Sequence, residues 1–444
     1  MALSKREVAE LSVRLEESGP SARQEILQQM VEAGEAAVPY LIQHLESSDY
    51  RLRGAAAEAL GEIAREEAIP SLIELLADSS VNAQRSAAEA LTKVGEAAVE
   101  DLLDALAAKD QGARRWAAEA LGGIGDASVD VNLVRRLGDP NFEVQRAAIT
   151  ALGELGSKRA TEPLIEMLAS DNAELARAAA EALGKIRDPA AIRPLIDALR
   201  SVSDEVRSAA SEALSQIGKR ALKPLLARVQ DPDYRVRVQV ATILGEIGDE
   251  RVVEGLVSVL DDENENVICR ASMSLGQVAG DAAVSHMAGL VKSERATVRC
   301  AVASGLSCAR CEEAVKPLAG LLKDADWATR MTAAKGLGLV GQAAAVRSLV
   351  RALEDPEWSV RMHAALSLGR IGQRQYALPA LQRLLDDRKD MVRKAAVEAL
   401  VALEAVEAAP GIRTLLDDEN PIVAEAAAEA LRALGQMRKA ATKK

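Results

Sequence analysis

Residues 355–372 read DPEWSVRMHAALSLGRIG, and the spacing of their apolar side chains decides the fold of the whole chain. Asp355 is placed to accept hydrogen bonds from the free amides of a helix's first turn. Pro356 suits the first helical position because its missing N–H would have no partner there. Val360, Ala364, Ser367 with Leu368, and Ile371 follow at intervals of three and four residues, one apolar stripe, before Gly372 lets the chain turn away. Met362, Leu366 and Arg370 form the opposite ridge, which the pattern predicts to be free of the core.

Aligning the chain on Leu368 places leucine at 60, 91, 121, 152, 183, 214, 244, 275, 306, 337, 368, 400 and 431, in steps of 30 to 32 residues. Such a period is too long for a coiled coil and too short for a domain. It fits two helices and two turns that bury their apolar faces only by stacking on neighbouring copies. The 444 residues therefore read as one elongated array, an all-α right-handed solenoid of thirteen to fourteen helical hairpins, rather than as two or three globular domains. At helix separations of roughly 8–10 Å the array would extend on the order of 110–140 Å along its contour. Apolar residues make up 49% of the chain and aromatics only 2%, so the core must be Ala, Leu, Val and Ile, small enough for close helix packing.

Residues 1–36 read as a divergent capping pair: a charged amphipathic helix near Lys5–Glu17, a break at Gly19-Pro20, and a second helix ending at Gly34. Residues 37–436 form the regular array, and 437–444 a short basic tail. Pro39, Pro70, Pro163, Pro194, Pro224, Pro317 and Pro379 mark the starts of first helices. The formal charge of −12 opposes binding to a nucleic-acid backbone, whose affinity comes from Lys and Arg displacing counterions. Four unevenly placed cysteines make no disulfide framework and fit a reducing, cytoplasmic compartment. No apolar run approaches the roughly 18 residues that a membrane span requires.

The stretches AIPSLIELLAD…AAEALTKVG and KPLLARVQDPDYRVRVQVATILGEIGDERVVEGL resemble HEAT repeats, specifically the phycobilisome-lyase-like HEAT class. The resemblance covers nearly the whole chain. It implies a right-handed superhelix that works as a binding scaffold, and it leaves open a bilin lyase or isomerase subunit, or a chaperone that presents a chromophore.

Two columns read as architecture. Asp recurs thirteen residues before the marker leucine, at 78, 139, 231, 262, 324, 355, 387 and 418; Arg recurs seven before it, at 53, 114, 207, 237, 299, 330, 361 and 393. Their repetition points to a ladder that ties neighbouring repeats together. The ridge at six and two residues before the leucine carries the functional information, because second helices usually line the concave side of HEAT arcs. Early repeats place opposite charges there, Arg85/Glu89, Arg115/Glu119 and Arg177/Glu181, which can pair along a solvated helix. Later repeats place Val238, Cys269, Met273, Cys300, Met331, Met362 and Leu366 there, an apolar row that suggests a partner groove or, alternatively, burial between repeats. Tyr50, Phe142, Tyr234, Trp327 and Trp358 share the column ten residues before the leucine, and Trp327 with Trp358 in adjacent repeats could anchor a peptide or an aromatic ligand.

Cys308 and Cys311 form a CxxC, a spacing that can serve zinc or redox chemistry, but with no second pair it stands as a weak metal candidate. His44, His286 and His363 are the only histidines, and each lacks the following glutamate that marks the HEAT-repeat iron hydroxylases. No phosphate-binding glycine loop or nucleophile elbow is present. No cofactor is expected. The expected function is a non-enzymatic scaffold that binds a protein or peptide partner on its concave face, with a bilin lyase-like subunit the reading should it be an enzyme and nucleic-acid binding disfavoured by charge.

Overall fold

In the computed structural model, which describes residues 4–441, the chain is all-helical, with no strand among the described residues. Packing divides it into two compact units, Met1–Ala221 and Leu222–Lys444. Within each, the same hairpin recurs: a short 3-10 turn, a first helix, a tight turn, a longer second helix. In the second unit the hairpin is exemplified by Val315–Leu321 with Trp327–Val340, and by Val346–Ala352 with Trp358–Ile371. The first unit opens with the helices Lys5–Glu17 and Pro20–Ala33. Ser4 caps the former through a reciprocal pair with Glu7: the Glu7 amide donates to Ser4 Oγ at 3.3 Å, and the Ser4 amide to Glu7 Oε2 at 2.7 Å.

The helix in the opening stretch begins later than its sequence suggests, at Trp358, with Glu357 at the N-cap. Asp355 lies two residues before that cap, and its carboxylate is engaged elsewhere: Arg330 of the preceding repeat donates to its two oxygens at 2.7 and 3.0 Å, and the Glu357 amide donates to Oδ1 at 2.9 Å. Pro356 thus lies in the turn before the helix. Pro379 departs too, since the helix Arg374–Arg383 starts directly after Gly372-Gln373 and leaves this proline in its interior. At the other end Gly372 takes φ 81° and returns its amide to the Leu368 carbonyl, closing the helix. Arg187 holds the equivalent position at φ 54°, where a Cβ costs about 1–2 kcal/mol.

The Asp/Arg ladder is built as the columns imply. In the first unit Arg53 reaches Asp78 and Arg114 reaches Asp139; in the second Arg237, Arg299, Arg330, Arg361 and Arg393 reach Asp262, Asp324, Asp355, Asp387 and Asp418. Each pair is bidentate, and the third guanidinium nitrogen donates to turn carbonyls of the arginine's own repeat, as Arg330 does to Asp324 at 2.8 Å and to Ala325 at 3.1 Å. One guanidinium thus stitches two successive turns. Where the column carries Gln84, the side chain keeps the backbone bond, donating to the Asp78 carbonyl at 2.7 Å, and accepts from Trp116 Nε1 at 2.9 Å.

Marker leucines from Leu60 through Leu400 are fully buried, and Leu431 is half-buried. Consecutive second helices touch almost backbone to backbone through the residue after the leucine. A Cβ on Gly122 would lie 2.7 Å from Ala151 Cα, and one on Gly276 only 2.1 Å from the Gly305 carbonyl oxygen.

Candidate functional site

All seven residues of the apolar row lie in the second unit on consecutive second helices: Tyr234–Ile247, Glu265–Ala279, Ala296–Ala309, Trp327–Val340 and Trp358–Ile371. Val238, Cys269, Met273, Cys300, Met331, Met362 and Leu366 are each half-buried. This falls between the two readings of the sequence. Cys300 leans on the adjacent second helix, with Sγ 3.3 Å from Thr332 Oγ1. The ridge of the opening stretch is therefore not clear of packing, because a neighbouring second helix stands close on either side.

Trp327 and Trp358 are the first residues of their helices rather than residues of the turn, and are 50% and 37% exposed. Tyr50, Phe142 and Tyr234 hold the same helical position at comparable exposure. From each tryptophan a four-residue ridge runs down the helix: Trp327, Met331, Lys335, Leu339 on one, and Trp358, Met362, Leu366, Arg370 on the next. Leu339 is 40% exposed, and Lys335 and Arg370 are exposed. His363 sits beside the second ridge. Burial pushes its imidazole below the ordinary range, and Lys335 and Arg370 push in the same direction.

The corresponding ridge of the first unit is not simply solvated. Of its intrahelical pairs only Arg177–Glu181 forms. Arg115 turns to Glu143 on the next helix at 3.7 Å and lies over the Trp116 ring at 4.6 Å, while Arg146 holds Glu143 at 2.5 Å. Glu143, Arg146, Glu174, Arg177 and Glu205 line a groove of about 420 Å³ there. The recurrence of Glu143, Glu174 and Glu205 nine residues before successive leucines is the signal that could have revealed this network.

Cys308 is the next-to-last residue of the helix Ala296–Ala309 and Cys311 stands just beyond it, both half-buried. Burial pushes the Cys269, Cys308 and Cys311 thiols up, away from the thiolate that metal or redox chemistry needs. Among the described residues no group of three or more His, Cys, Asp or Glu side chains is arranged to hold a metal ion, and no helix is long and apolar enough to cross a membrane.

The family model for HEAT repeats matches residues 8–92, 72–137, 131–215, 222–307, 287–357, 315–401 and 346–432. A comparison with curated proteins found no match. Among solved structures, the chain is similar to a Kap95:Nup1 complex (TM-score 0.57, 15% identity, covering 93% of this chain and 69% of that one). It is also similar to Kap121p bound to RanGTP (TM-score 0.57, 15% identity, 97% and 52%) and to yeast importin-beta, Kap95p (TM-score 0.53, 14% identity, 98% and 70%). At these identities the likeness shows the fold, an α-solenoid.

Proposed function

The chain belongs to the HEAT-repeat family, and from that premise we propose that it is a non-enzymatic scaffold whose second-helix row between Val238 and Leu366 docks a segment of a partner protein. The observation that carries this reading is the pair of half-exposed tryptophans standing at the head of a row of half-buried methionines. Isolated exposed apolar residues are ordinary, but contiguous ones on adjacent helices invite association. Methionine adapts its shape to a contact, and tryptophan is enriched where binding energy concentrates. Solenoids of similar fold are found in complex with proteins, Kap95 with Nup1 and Kap121p with RanGTP, which supports a partner of that class.

The finer assignment to the phycobilisome-lyase-like class belongs to the same proposal, with a bilin held against the Trp327–Trp358 end as its rival ligand. Four free cysteines support a reducing, cytoplasmic setting.

The test is a double change, Met331→Glu with Met362→Glu, compared with Arg115→Ala in the first unit. Full-length protein is used to capture partners, which are identified by mass spectrometry and then titrated against each variant. The methionine variant should keep its helicity and melting while losing at least about tenfold in affinity, some 1.4 kcal/mol. Arg115→Ala should bind normally. A folded methionine variant with unchanged affinity removes this row as the site, and a bilin co-purifying with the wild-type chain alone favours the chromophore reading.

A further inference from the structure

We propose that the partner segment docked between Trp327 and Arg370 is an acidic one, carrying apolar side chains at one end and carboxylates at the other. This rests on the docking reading above and adds the partner's chemistry and its direction. The two ridges are polarised in the same sense. At the tryptophan end stand Asp326 and Glu357, each immediately before its tryptophan, and further along stand Lys335, with Leu339 one turn beyond it, and Arg370, the last residue of its ridge. The cations lie eight and twelve residues beyond the tryptophans, or about 12 and 18 Å along a helix at 1.5 Å per residue.

Lys335 and Arg370 differ from the paired cations on neighbouring second helices. In the first unit's row Arg146 is held by Glu143 and Arg177 by Glu181, and on the helix after this patch Lys394 pairs with Glu398 at 3.4 Å. The ladder arginines Arg330 and Arg361 beneath the patch are held by Asp355 and Asp387. Among the described residues Lys335 and Arg370 join no such ion pair, and both act on His363 between them, adding to the effect of burial on its imidazole. In a chain of charge −12, two unpaired cations bordering an apolar strip are a local reversal of the prevailing sign. A carboxylate arriving there gains attraction without first displacing an internal partner, while a basic segment is repelled.

The face between the cations and the tryptophans is Met331, Met362 and Leu366, with Leu339 just beyond Lys335, and it offers nothing to a sugar-phosphate backbone. That favours a peptide over a nucleic acid, although tryptophan with Lys and Arg would suit both.

Random twelve-residue peptides displayed on phage, selected on the full chain, supply a probe that requires no known partner. Synthetic copies of the enriched peptides are titrated by fluorescence, since Trp327 and Trp358 lie on the patch and Trp116, the third tryptophan, is buried elsewhere. The expected result is a family of net-negative peptides with apolar side chains. Lys335→Glu with Arg370→Glu should weaken these at least about tenfold by reversing both contacts, with helicity unchanged because both residues are exposed. Arg347→Glu, an exposed charge on the first helix of the same region, should leave them unaffected. Enriched peptides that are neutral or basic, and are lost with Met331→Glu and Met362→Glu but not with the charge reversals, overturn this inference and leave the docking reading standing. No enrichment, or peptides indifferent to both double variants, overturns both. Binding of a twelve-nucleotide single strand that is abolished by the charge reversals, with no acidic peptide selected, overturns the peptide assignment.

Discussion

Replacing Gly276 by alanine tests whether the second helices are held by backbone-close packing. Two terms oppose each other. Gly276 lies inside Glu265–Ala279, where alanine is favoured over glycine by about 1 kcal/mol of helix propensity. Against that, the new Cβ would sit 2.1 Å from the Gly305 carbonyl oxygen and 3.1 Å from Cys308 Cβ. Ordinary contact requires the helix Ala296–Ala309 to retreat by about 1 Å, and a gap of that size forfeits a quarter to a half of each van der Waals contact it opens. Overpacking of this kind costs about 1–3 kcal/mol, at a crossing already tight one turn earlier, where a Cβ on Gly305 would lie 2.5 Å from the Ser272 carbonyl oxygen. The packing term should win, giving a net loss of about 1–2 kcal/mol. Gly320→Ala is the control: it lies in Val315–Leu321, its Cβ would meet nothing within 4 Å, and it should be neutral or gain up to about 1 kcal/mol. Denaturant unfolding followed by the fluorescence of Trp327 and Trp358 reads both variants in the unit that contains them. Equal stabilisation by the two alanines would refute the close-contact argument.

Breaking one rung of the ladder by Asp355→Ala leaves the Arg330 guanidinium part-buried with only two turn carbonyls, and should lower stability by about 3 kcal/mol in the same fluorescence assay. Asp324 gives the ladder's pH dependence: the Arg299 guanidinium holds its carboxyl below the ordinary range, so its contribution is complete at neutral pH and is lost only as pH falls below about 4 and through the lowered value. A chain in which Asp324→Asn loses the acid-induced drop in unfolding midpoint would agree; an unchanged profile would not. His44 behaves in the opposite compartment of the pH scale. It is buried against Ser12, with Nε2 2.9 Å from Ser12 Oγ, and burial lowers its pKa, so the folded state prefers it neutral. Docking of Lys5–Glu17 should therefore be fully stable above about pH 6.5 and weaken below it by at most about 1.4 kcal/mol per pH unit, seen as rising amide exchange in that helix. His44→Gln should flatten the trend.

The period of the leucines was enough for the solenoid, and the two charge columns were enough for the ladder, because both are repeated and repetition averages away local exceptions. What sequence spacing could not resolve were choices between partners. Asp355 has the spacing of an N-cap, but its carboxylate is turned to an arginine one repeat away and to the Glu357 amide, and the helix starts two residues later than that spacing implies. Arg115 has the spacing of an intrahelical pair with Glu119, but the next helix stands close enough to offer Glu143 and Trp116 offers its ring. The apolar row shows the same limit. Helical position alone divides residues into facing in or facing out, whereas a second helix with neighbours on both sides has flanks that are half covered, and Met331 and Met362 fall there. The place of Trp327 and Trp358 at the first helical residue depends on where each helix starts, which the misread cap had moved by two residues in the case of Trp358.

Half-burial also sets how the patch can work. Fully burying a methionine or leucine is worth about 1.5–3 kcal/mol, so Met331, Met362, Leu366 and Leu339 each have only about 1 kcal/mol left to give a partner. Four such contacts sum to about 4 kcal/mol, which corresponds to a dissociation constant near 1 mM before the entropic cost of association is counted. The row by itself cannot hold a partner firmly. The tryptophans offer the largest apolar areas still open on these helices, and only a ligand long enough to reach from Trp327 to Lys335, or from Trp358 to Arg370, adds an unpaired charge to them. A short apolar peptide should therefore bind too weakly to measure, and affinity should rise steeply once the ligand spans the 12–18 Å between the aromatic and basic ends. Length dependence of that form separates a polarised docking strip from a general sticky surface, on which affinity would climb evenly with each added apolar residue.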